Sequence, residues 1–147
     1  MQGVDKNAII DNVWQYSHYY AQSLQTCEIL YKEGQGIACL NVLFNVFENV
    51  SKSVIENYDM KFYNVLQTLF TQNIIDGKEF DFLNNENLSV RKIRNLLMHA
   101  DVFSLGFEKE GIFYPFYEND TLLMLYNDLS WEIFYIINKI VLYKLNH

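Results

Sequence analysis

Ile37-Ala38-Cys39-Leu40-Asn41-Val42-Leu43-Phe44-Asn45-Val46-Phe47-Glu48-Asn49-Val50-Ser51-Lys52-Ser53-Val54 sets Ile37, Leu40, Leu43, Phe44, Phe47, Val50 and Val54 at three- and four-residue steps. That is the period of an α-helix burying one face. Opposite the stripe runs a polar ribbon of Asn41, Asn45, Glu48 and Lys52. Upstream, Ile10, Val13, Trp14, Ser17, Ala21 and Leu24 keep the same period and predict a first long helix, separated from the second near Gly34 and Gly36. Downstream, Phe62, Val65, Leu66, Leu69 and Phe70 predict a shorter third helix closed by the turn Asp76-Gly77, and Asn87 or Ser89 is suited to cap a fourth. The pattern then changes. Phe103-Ser104-Leu105-Gly106-Phe107 and Gly111-Ile112-Phe113-Tyr114-Pro115-Phe116 flank the charged tip Glu108-Lys109-Glu110, which predicts a hairpin with Pro115 on an edge strand. Helical spacing returns from Asp120 through Leu122, Leu125, Leu129, Ile133, Ile136, Ile137 and Ile140. The expected fold is all-α: one domain over residues 1–147, an up-and-down bundle of four to five helices with a small β-hairpin inserted before the last.

Composition supports a single packed core. The chain has 147 residues, half of them hydrophobic, and one proline, which is ample for one domain and unlike a disordered segment. No basic region followed by an apolar run opens the chain, so no secretion signal is expected, and the stretch from Trp131 to Leu145 is too short and too interrupted by charge to span a bilayer. Cys27 and Cys39 lack the paired short spacing of a zinc site or a disulfide framework and are expected in the core. We therefore expect a reduced, cytoplasmic protein with no metal or other cofactor and no membrane partner. A net charge of −7 argues against a general nucleic-acid coat protein, which needs a basic surface to release counterions. Nucleic-acid contact, if made, is local.

One stretch supplies such a place. Both arginines fall in Ser89-Val90-Arg91-Lys92-Ile93-Arg94-Asn95-Leu96-Leu97-Met98-His99-Ala100, beside one of the three histidines, while lysine carries positive charge elsewhere. A guanidinium grips phosphate as a planar fork, and histidine moves protons near neutral pH. On a helix, Val90, Ile93, Leu96, Leu97 and Ala100 fall on one side and Arg91, Asn95 and His99 line the other, with Arg94 turned about 140° from His99. Bringing Arg94 to His99 requires the helix to end or bend near His99, or a second copy of the chain in a two-fold dimer. Glu48, on the polar ribbon of the second helix, is suited to hold an arginine through a bidentate pair.

A late helix carrying Arg94-Asn95-Leu96-Leu97-Met98-His99 in a nearly all-helical chain resembles the HEPN superfamily, whose signature is arginine, four to six residues, then histidine. The resemblance covers about six residues as motif and most of the chain as layout. It implies a metal-independent endoribonuclease that works as a homodimer, commonly in bacterial toxin/antitoxin or antiphage defence systems, with RNA as substrate and an antitoxin or defence-system protein as partner. Arg94 would then bind the scissile phosphate, His99 transfer the proton, and Asn95 orient the histidine or the substrate. Arg91 and Lys92 would contact RNA, with Glu48 and Asp101 supporting the site. Some members paired with nucleotidyltransferases carry a tyrosine two residues after the histidine; here Asp101 stands there, so control through that tyrosine is not expected. An acid at that position would either repel RNA or orient His99 and raise its basicity.

Two blander readings compete. Arg91, Lys92 and Arg94 could form the solvated face of an amphipathic helix, in a non-catalytic HEPN-like bundle that binds a partner protein or nucleotide. A regulatory or antitoxin subunit is a third reading. Phe113, Tyr114, Phe116 and Tyr117 are placed to stack on RNA bases or to cover the bundle or a dimer interface.

Overall fold

The computed structural model describes residues 5–98 and 102–147; His99 and Asp101 lie outside them. Among the described residues there are seven α-helices, α1 (Lys6–Tyr16), α2 (His18–Lys32), α3 (Gly36–Ile55), α4 (Phe62–Thr71), α5 (Gly77–Asn84), α6 (Val90–Leu97) and α7 (Asn119–Leu145), and one hairpin of β1 (Gly106–Lys109) and β2 (Ile112–Pro115). The chain is mostly helical, with the hairpin before the last helix, as the periodicity predicts. It has more helices than the four to five expected, and two local choices account for the difference.

The first is Ser17. Its position on the apolar stripe made one helix of residues 10 to 24, but its backbone is extended and its side chain accepts a hydrogen bond from the Tyr20 amide, ending α1 and capping α2. Serine is among the best N-cap residues because its oxygen satisfies an amide that the first turn leaves unpaired. The second is Asp76-Gly77. Rather than only closing the third helix, Asp76 starts another: its carboxylate accepts from the Glu79 amide while the Glu79 carboxylate accepts from the Asp76 amide, a reciprocal capping box. Buried Glu79 also pairs with Lys139 of α7 at 2.7 Å, which ties α5 to the bundle.

α3 is the centre of the fold, packed against both α2 and α7, with α1 filling the space between those two. Leu40, Leu43, Phe47 and Val50 of α3 are fully buried, as are Ile133, Ile136, Ile137 and Ile140 of α7, so most of the predicted stripes form the core; Ile37 at the start of α3, Trp14 and Phe70 are instead exposed. Packed in succession beyond α3 come α4, α5 and α6. Asn119 at the start of α7 locks the α2–α3 connection: its side chain accepts from the Gly36 amide at 3.0 Å and donates to the Gly34 carbonyl at 2.9 Å.

The hairpin turns one residue later than the charged tip suggested. Lys109 pairs with Ile112, leaving Glu110 and Gly111 as a two-residue loop, both with positive φ (54° and 80°). This geometry suits the right-handed twist of the strands. Buried Phe107 and Phe116 anchor the hairpin on the bundle.

Candidate functional site

α6 places the arginines. Ser89 is buried and caps the helix by accepting from the Lys92 amide at 3.1 Å. Val90 and Ile93 are fully buried, and Leu96 and Leu97 pack against the core from its edge. The predicted apolar side is therefore the inward one, and it fixes how α6 rotates. The helix ends at Leu97, with Met98 as its C-cap.

The three cations of α6 diverge. Arg94 reaches α3, where its Nη2 pairs with Glu48 Oε1 at 2.6 Å and its guanidinium lies over the Phe62 ring at 4.6 Å. Nη1 donates to Asn95 Oδ1 at 3.2 Å. Arg91 turns the other way, donating from Nε to Asn84 Oδ1 of α5 and lying over the Tyr63 ring of α4. Lys92 donates to the Glu86 carbonyl at 2.9 Å. The structure therefore brings together Arg94, Asn95 and Glu48, and sets Arg91 and Lys92 on the side of α4, α5 and the loop before α6.

Glu48 is shared. Its second oxygen pairs with Lys52 at 2.7 Å, one turn along α3. The contact with Arg94 thus engages one carboxylate oxygen, and the expected bidentate pair is not formed because Lys52 takes the other. Two cations around one carboxylate leave this spot with a local charge of +1 in a chain of −7. The pair is not fully exposed: the side chains of Arg94 and Glu48 retain 20% and 17% of their accessible surface. Half-burial and the Phe62 platform hold Arg94 in one orientation, as stacked guanidinium groups favour.

The Arg94 side chain borders a cleft of about 330 Å³ whose other walls are Asn41, Phe44, Asn45, Glu48 and Met98. Asn41 and Asn45 belong to the polar ribbon on α3. Asn45 Oδ1 accepts from Asn49 at 3.0 Å, one turn further on. The cleft thus presents one guanidinium, one carboxylate and two amides.

No family model matches the chain, and neither does any curated protein or solved structure. Among the described residues no group of three or more His, Cys, Asp or Glu is placed to hold a metal ion, and no helix is long and apolar enough to cross a membrane.

Other titratable groups lie away from the cleft. Cys27 and Cys39 are buried and free, and burial raises both thiols, that of Cys39 to about 11. Burial also raises Tyr126, whose hydroxyl donates to Glu28; Lys6 pairs with the same carboxylate at 3.0 Å. His18 stacks on Trp14 with centroids 4.2 Å apart, away from the cleft walls. Phe62 had no signal as a site residue in the sequence, where it reads only as the first apolar position of the third helix. Lys52 did carry one, since Glu48 and Lys52 are one helical turn apart.

Proposed function

We propose that this chain is an endoribonuclease of HEPN type, acting at the Arg94 cleft without a metal and as a two-fold dimer. The observation that carries the reading is the placement of Arg94, the arginine of the Arg-Asn-x-x-x-His motif. It is held by Glu48 and Phe62 at the mouth of an amide-lined cleft, hydrogen-bonded to Asn95, on a helix that ends just before His99. The reaction is attack of an RNA 2′-hydroxyl on the adjacent phosphorus: the O2′–P bond forms, the P–O5′ bond breaks, and a 2′,3′-cyclic phosphate remains. One group must take the 2′-hydroxyl proton and another must protonate O5′, and two copies of His99 in a dimer supply both. Arg94 balances charge on the phosphorane oxygens. Arg91 and Lys92 hold flanking phosphates, and an antitoxin or defence-system protein restrains the activity in the cell.

The test is RNA cleavage by the purified chain in chelator. The wild type cuts, His99→Ala slows cleavage by roughly 100- to 10,000-fold, and Arg94→Ala slows it by roughly 100- to 1,000-fold. Intact RNA in the wild-type reaction, or equal cutting by His99→Ala, rejects the reading. A second reading, a non-catalytic bundle that binds a partner protein, is favoured by one feature: Arg94 already has a carboxylate and a ring as partners within its own chain. That reading predicts a stable complex with a protein encoded next to it and full function in Arg94→Ala.

A further inference from the structure

A second groove meets the Arg94 cleft on the surface of α3. It runs between α2 and α3, has a volume of about 540 Å³, and is lined by Tyr19, Gln22, Ser23 and Thr26 from α2 and by Asn41 and Asn45, with Val42, from α3. Asn41 and Asn45 also line the Arg94 cleft, so the two form one continuous surface. No charged side chain lines the α2–α3 part, and Tyr19 is 70% exposed.

Three of its polar groups have part of their hydrogen-bonding capacity already used. Ser23 and Thr26 spend their hydroxyl protons on the Tyr19 and Gln22 carbonyls of their own helix, at 3.0 and 2.9 Å, so they offer acceptor oxygens to the groove. Across from them Asn45 has its oxygen occupied by Asn49 and offers its amide protons. Acceptor oxygens of Ser23 and Thr26, amide donors of Asn45, the two-sided amides of Gln22 and Asn41 and an exposed phenol ring match a flat group with both donor and acceptor edges. An unpaired nucleobase is such a group, and single-stranded nucleic acid is held by stacking its bases on aromatic side chains beside positive charge for the backbone. The charge order fits as well: uncharged walls for base and sugar, then a net positive spot at Arg94, Lys52 and Glu48 for the phosphate.

We propose that the α2–α3 groove is the base-binding subsite of the Arg94 cleft, taking one unpaired nucleotide with its base against Tyr19 and its edge on Asn41, Asn45 and Gln22. This rests on the ribonuclease reading and makes it specific: the substrate is single-stranded at the site of cutting.

The test is fluorescence anisotropy with a 2′-O-methyl RNA oligonucleotide, which has no 2′-hydroxyl to react, offered unpaired and as a duplex. The wild type binds the unpaired strand more tightly. Tyr19→Ala weakens that binding roughly tenfold, about one lost base–aromatic stack, while Tyr19→Phe retains it. Thermal unfolding of the same variants confirms that they are folded. Equal affinity for duplex and single strand, no binding by the wild type, or wild-type affinity in Tyr19→Ala overturns the proposal. The two readings fail separately. If Tyr19→Ala weakens binding but the wild type cuts no RNA, the groove stands and the ribonuclease falls; if RNA is cut and Tyr19→Ala binds unchanged, the ribonuclease stands and the groove falls.

Discussion

Gly36 and Gly77 each open a helix, and the same substitution at the two positions should have opposite effects. At Gly36 an added Cβ would lie 2.6 Å from Asn119 Oδ1, 2.8 Å from Leu122 Cβ and 3.0 Å from the Asn119 carbonyl oxygen. The asparagine oxygen cannot swing away freely, because the side chain bridges the Gly36 amide and the Gly34 carbonyl. Leu122 Cβ is fixed to the backbone of α7. Overpacking costs about 1–3 kcal/mol and loss of the hydrogen bond about 1 kcal/mol, against a gain of up to ~1 kcal/mol in helix propensity. Gly36→Ala should therefore destabilise by about 1–3 kcal/mol, lowering Tm by roughly 3–10 °C at this chain length. At Gly77 a Cβ would meet nothing within 4 Å. Gly77→Ala restricts the unfolded chain and should stabilise by about 0.4–1 kcal/mol. Differential scanning calorimetry of both variants reads the two signs. A Gly36→Ala protein as stable as the wild type would refute the account of how α3 docks on α7.

Three further outcomes follow from the same contacts. Glu48→Gln frees Arg94 from its ion pair, and misplacement by about 1 Å can cost roughly a hundredfold; kcat for RNA cleavage should fall ten- to a hundredfold without a rise in KM, since an acid facing the substrate is also removed. Unchanged kcat would mean that Glu48 does not position Arg94. The Glu79 amide, with Lys139 nearby, holds the Asp76 carboxyl below its ordinary value near 3.9, so its stabilisation is present above that value and is lost as pH falls through the lower folded one. The Tm gap between wild type and Asp76→Asn should therefore be larger at pH 6 than at pH 3, and an equal gap at both contradicts the assignment. Burial keeps Cys27 and Cys39 protonated at neutral pH, so a thiol-specific reagent should label neither until the protein unfolds, and rapid labelling of the native chain would show that the core around α2 and α3 is open.

How much of this was legible in the sequence depends on the range of the interaction. Long stripes, as in α3 and α7, are local statements about which face is buried, and they hold in the structure except at Ile37 in the first turn of α3, which is exposed. Ser17 fitted two roles, a small residue on a buried stripe and an N-cap, and the backbone chose the cap. The α5 helix is eight residues long and carries a glycine at its first position, so the turn signal of Asp76-Gly77 hid a capping box. The arginines show the other limit. Spacing put Arg91, Asn95 and His99 in one line and set Arg94 apart, which is a statement about where Cβ atoms point. A guanidinium lies several bonds further out, and what it meets is decided by other elements: Arg94 finds Glu48 and Phe62, whereas Arg91 finds Asn84 and Tyr63. The polar ribbon of α3 made Glu48 suited to hold an arginine, but neither which arginine nor the sharing with Lys52 could be read from it. The groove beside Tyr19 did not, because it exists only once α2 and α3 are packed.

The central claim is tested most directly by the ends of RNA fragments produced by the purified chain in chelator. Fragments ending in 2′,3′-cyclic phosphate, produced by the wild type and absent with His99→Ala, are the result the Arg94 cleft and His99 predict. Uncut RNA, fragments ending in 3′-hydroxyl, or the same fragments from His99→Ala would contradict it.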